Sequence, residues 1–68
     1  MKAEERREEI VNRLSASKVP ISAGTFSQLF GVSRQIIVKD IARLREDGFH
    51  IISGHDPASF ERAVRLTE

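Results

Sequence analysis

The chain has 68 residues, 40% of them hydrophobic and 31% charged, with no cysteine and a formal net charge of +1 at pH 7. That length carries one small domain, near the lower limit at which a single apolar core offsets the entropy of ordering the chain. The missing cysteines exclude disulfide staples and thiolate chemistry, and the apolar runs are far too short for a membrane span, so a soluble, cytoplasmic protein is expected. The small net charge hides a segregation. Residues 1–13 balance, residues 14–45 hold five Lys or Arg against one Asp, and residues 46–68 hold five acidic against two basic residues.

In chain order, residues 2–17 read as a first helix rich in Glu, Arg and Ala, with Ile10, Val11 and Leu14 on one apolar stripe. Its opening run, KAEERREE, reads as a solvated helix face laced with charges at i,i+4 spacing and is assigned no function. Pro20 then forces Val19 into an extended conformation, so Lys18 to Ile21 is expected to be a short link able to pair with a later strand edge.

Ser22 offers an N-cap oxygen to a two-turn helix over residues 23–30, whose Phe26, Leu29 and Phe30 are expected to face inward. Gly31 ends it, because a left-handed backbone costs least at glycine. Ser33 can cap the next helix, residues 34–47, which places Ile37, Ile41 and Leu44 on a core stripe and stops at Gly48. Two short helices joined by a glycine-containing turn, the second one capped, form the helix-turn-helix pattern.

From residue 49 the period becomes strand-like, and residues 49–67 read as a hairpin with a long tip. Ile51, Val64 and Leu66 are expected to close the core. Phe60 sits at the tip with its burial undetermined. The fold class is therefore α+β, a winged helix of three helices and a β-hairpin wing, in a single domain spanning residues 1–68.

On a wheel of about 100° per residue, Gln35, Lys39, Ala42 and Arg43 lie opposite the core stripe, flanked by Val38 and Ile36. Those residue types suit a DNA groove: an amide bonds adenine in two places, cations reach guanine acceptors, and aliphatic groups touch thymine methyls. Arg34 stands at the helix start, where groove-docked helices present their first residues, and Ser33 with the free amides beside it adds phosphate donors. Lys18 and Arg62 are further phosphate candidates. In the hairpin tip, His55, Arg62 and Arg65 are offset by Asp56 and Glu61, so the hairpin is as readily structural as DNA-binding.

No catalytic constellation is visible. His50 and His55 lack the further ligands a metal needs, and neither metal nor cofactor is expected. The run ISAGTFSQLFGVSRQIIVKDIARLREDGFHII resembles the winged-helix domain that begins bacterial regulators of the biotin-repressor type, and is most similar to the niacin-responsive transcriptional repressor family. The resemblance implies a repressor's DNA-binding domain, normally followed by a ligand-sensing and dimerising domain, with Ser33, Arg34, Gln35, Val38 and Lys39 as groove contacts. Against that pattern, no sensing segment is expected after residue 68 and the wing is expected to be longer and more acidic, which leaves effector, dimer and regulon open. A sequence-specific double-stranded DNA binder that inserts the helix 34–45 in the major groove is expected, as a homodimer or lacking a C-terminal effector domain. The alternative is a winged-helix protein-protein interaction module, favoured by the near-neutral charge and acidic C-terminal third.

Overall fold

The computed structural model describes residues 1–54 and 59–65. Three helices and three strands follow one another as α1 (Ala3–Ala16), β1 (Ile21–Ser22), α2 (Ala23–Phe30), α3 (Arg34–Glu46), β2 (Phe49–Ser53) and β3 (Ser59–Arg65). The strands form one antiparallel sheet in the order β1-β3-β2. This is an α+β winged helix, the hairpin β2–β3 being the wing.

Local chemistry sets the boundaries. Ser22 caps α2 by accepting from the Thr25 N–H at 3.0 Å, and Gly31 ends it in the left-handed region at φ 66°. Ser33 opens α3 by accepting from the Ile36 N–H at 3.3 Å, and Gly48, at φ 99°, turns the chain into β2. The extended link expected before α2 does pair with a later strand, Ile21 standing opposite Phe60.

The core lies where the three helices meet the inner face of the sheet. Ile10 and Leu14 come from α1, Phe26 from α2, and Ile37, Ile41 and Leu44 from α3, all buried. The α3 stripe expected from its spacing is the one observed. Phe30 is half-buried and stacks on Phe26, ring centroids 6.0 Å apart.

Two inward assignments need correction. Leu29 is 47% exposed, because α2 has only two turns and its inner side is filled by Phe26 with Ala23. Val64 is also exposed, and Ala63 and Phe60 point into the core instead. Ala63 stands opposite the buried Ile51, which turns Val64 outward beside His50; a register shift then falls between Ile52 and Ser53, Ile52 pairing with Arg62 but Ser53 with Phe60, so Glu61 is the extra residue on β3. An extra residue reverses the parity of the strand, which lets Phe60 and Ala63, three positions apart, share one face. Leu66 lies outside the described residues.

The charged start of α1 also departs from expectation. Arg6 and Arg7 are half-buried, and both reach Asp40, a residue of α3 only 3% exposed. A carboxylate taken out of water is tolerable only when paired and hydrogen-bonded. Here two guanidinium groups meet that demand and tie α1 to the middle of α3.

Candidate nucleic-acid interface

The outer face of α3 is assembled by its own inner face. With Ile37, Ile41 and Leu44 fixed in the core, helical geometry turns Arg34, Gln35, Val38 and Lys39 outward, and all four are exposed. They surround one open depression of about 400 Å³, whose remaining lining residue is Ala23, the first residue of α2. Four of the expected contacts therefore meet at one place.

Arg34 does more than point outward. Its guanidinium crosses to the start of α2: a Cβ added at Gly24 would stand 3.6 Å from Arg34 Nε and 3.7 Å from Ser22 Oγ. The guanidinium therefore lies in ordinary contact range of the Gly24 position, alongside the Ser22 cap. Among the described residues, Arg34, Gln35 and Lys39 make no side-chain ion pair or hydrogen bond with the protein. Two cations and an amide are thereby left available to a ligand.

Ser33, also exposed, spends an acceptor lone pair on the Ile36 N–H. Its hydroxyl proton is still free to donate, because a hydroxyl is both donor and acceptor. The first amides of α3 lie beside it with no partner inside the helix.

The other candidates stand elsewhere. Arg43 is exposed, bonds Asp47 one turn later at 3.3 Å, and lines a groove facing α1 with Arg7, Val11 and Phe49. Lys18 and Arg62 line a third depression, between the end of α1 and the hairpin, together with Glu61 and Ile52. The structure brings Arg34, Gln35, Val38 and Lys39 together, sets Lys18 beside Arg62, and leaves Arg43 apart from both. His55 and Asp56 of the expected tip lie outside the described residues.

Two positioning contacts were not foreseen. Arg6 donates from Nε and Nη2 to the two oxygens of Asp40, the second at 3.0 Å, while Arg7 stands 3.5 Å from Oδ1. The hydrogen bond to Asp40 raises the Arg6 pKa above its ordinary value, against desolvation that lowers it and with a further push from the Asp40 charge. The sequence signal was Asp40 itself, an acid between Ile37 and Ile41 on the core side of the helix. At the other end of α3, Arg45 donates to the Ile51 carbonyl at 2.8 Å and to Ser53 Oγ at 3.2 Å, fastening the helix to β2.

Among the described residues, no group of three or more His, Asp or Glu is placed to hold a metal ion. No described helix is long and apolar enough to cross a membrane.

Over 50 residues the chain is 44% identical to the probable transcription repressor NiaR of Thermotoga maritima, an alignment covering 74% of this chain and 29% of that relative. The chain thus spans less than a third of the length of the curated relative it matches. No solved structure matches it. The sequence profile of the HTH domain matches residues 6–55, which includes α2, the Gly31 turn and α3 in full. With most of its length inside that match, the chain belongs to the HTH domain family.

Proposed function

We propose that this chain is the double-stranded-DNA-binding unit of a transcriptional repressor, and that it acts by inserting the N-terminal half of α3 into the major groove. One observation carries the reading: Arg34, Gln35, Val38 and Lys39 share an exposed face while the described protein offers their polar heads no partner. Long cationic and amide side chains left unpaired around one depression suit a polyanion with hydrogen-bonding edges. The likeness to a probable transcription repressor supports the same reading.

In this mechanism Arg34, Gln35 and Lys39 read base edges, with Val38 packed between them. Ser33 and the first amides of α3 hold a phosphate at the positive end of the helix. Lys18 and Arg62, paired on one side of the hairpin, and Arg43 on another, contact the backbone and fix orientation without reading sequence. The domain, residues 1–68, binds and does not catalyse. A monomer touches few base pairs, so useful affinity comes from two copies on two half-sites, joined by homodimerisation or by a further effector-sensing domain.

Selection of duplexes from a random pool at moderate salt tests this reading. A defined motif is expected, with affinity falling steeply as salt rises because bound phosphates release counterions. If the folded chain binds no duplex even at low salt, the DNA reading is wrong and the outer face of α3 serves a protein partner.

A further inference from the structure

The depression on the outer face of α3 has a mixed character that narrows its ligand. Its surface is almost wholly carbon, although three of its five lining residues, Arg34, Gln35 and Lys39, carry polar heads beside Ala23 and Val38. Val38 is 51% exposed, more than its branched neighbour Ile36 at 38%, while Ile37 and Ile41 on the same helix are buried. Around this carbon floor stand the two cationic heads of Arg34 and Lys39.

A complementary partner is apolar at one point and anionic around it. In a duplex major groove that description fits the thymine C5-methyl, the one apolar group on the base edges there, flanked by phosphates. The polar edges of adenine, guanine and cytosine would lose their water against this floor without receiving a hydrogen bond in exchange. Discrimination here rests on what the floor refuses as much as on what it accepts.

We infer that Val38, which lines this depression together with Ala23, is a specificity-determining residue that receives a thymine methyl, with the Gln35 amide beside it reading the neighbouring base pair. This inference rests on the DNA reading above and names the base that reading leaves open. Because Val38 lies half outside the core, its substitution leaves the fold intact, whereas Ala23, 1% exposed, is part of the core.

The test uses the duplex preferred by the full chain in the random-pool selection, with each thymine replaced singly by uracil. Uracil keeps every hydrogen-bonding group and removes only the methyl. One uracil position per half-site is expected to weaken binding about fourfold, the factor associated with one buried methyl-sized group. The same replacement should cost Val38→Ala nothing, and Val38→Thr, which sets a hydroxyl in the floor, should lose affinity for the thymine duplex. Uracil tolerated everywhere by the wild type, or an equal uracil penalty in wild type and Val38→Ala, overturns the inference while leaving DNA binding in place. A preferred motif without thymine overturns it too. Failure to bind any duplex at low salt overturns both this inference and the proposed function.

Discussion

Arg6 of α1 and Asp40 of α3, 34 residues apart in the chain, form a two-pronged ion pair inside the domain, with Asp40 only 3% exposed. A planar guanidinium and a carboxylate match each other in two parallel hydrogen bonds, so the pair specifies an orientation as well as a distance. Asp40 adjoins Lys39, about 100° away round the helix, and is buried where Lys39 is exposed. What holds Asp40 inward therefore holds Lys39 outward.

Removing one partner leaves the other charge buried. Arg6→Ala is expected to cost about 3–5 kcal/mol of stability, the range for breaking a buried pair, toward its lower end because Arg7 also reaches Asp40. Replacing both together, Arg6→Met with Asp40→Leu, should recover most of that loss. Urea denaturation of the three variants measures this; single variants within about 0.5 kcal/mol of the parent, as for ordinary surface changes, would show that the pair is idle.

Core and surface positions of α2 should separate cleanly. Phe26→Ala empties the centre of the core and is expected to cost about 3–5 kcal/mol, whereas Ile41→Ala on α3 should cost about 2–5 kcal/mol. Leu29→Ala, at a half-exposed position, should fall within about 0.5 kcal/mol of the parent. A large loss at Leu29 in thermal unfolding would contradict the burial described.

Much of this architecture is legible in the sequence because capping and punctuation are local. Ser22, Gly31, Ser33 and Gly48 act on backbone groups within a few residues, so they mark α2 and the start of α3 correctly. What escaped was long-range. That Ala63 and not Val64 turns inward depends on its pairing with Ile51, and that Phe60 joins it depends on the extra residue Glu61; register is a property of two strands together. Arg6 and Arg7 look like solvated charges until α1 is laid across α3. Asp40, set between core isoleucines, was the visible clue. The outer face of α3 followed from its core stripe, but its grouping with Ala23, and the separation of Arg43 from it, required the packing angle between α2 and α3.

The turn between those helices offers a backbone test. Gly31 has φ 66° and nothing within 4 Å of where a Cβ would stand, so Gly31→Ala introduces no clash with neighbouring groups. The expected loss is the left-handed backbone cost alone, about 1–2 kcal/mol, and Gly31→Asn should lose less. Equal stability of all three proteins by chemical denaturation would exclude the left-handed conformation at this turn.

Binding variants should leave the fold untouched. Arg34→Ala and Lys39→Ala, both at exposed positions, are each expected to reduce discrimination between preferred and mismatched duplexes by about 1–3 kcal/mol if the side chain reads a base. Lys18→Ala and Arg62→Ala should instead weaken all duplexes alike and flatten the salt dependence. Titrations at several salt concentrations distinguish the two patterns, and discrimination unaltered in Arg34→Ala and Lys39→Ala would remove both from the reading face.

Arg45, by bonding the Ile51 carbonyl and Ser53, welds the last turn of α3 to the hairpin. Helix and wing are consequently one tool with a preset opening, like the jaws of a calliper locked at a single gauge. On the proposed reading, with Lys18 and Arg62 holding the backbone beside the hairpin, a duplex that seats α3 would have to meet that gauge, and stiffness of the DNA beside the contacted bases would enter what the domain selects.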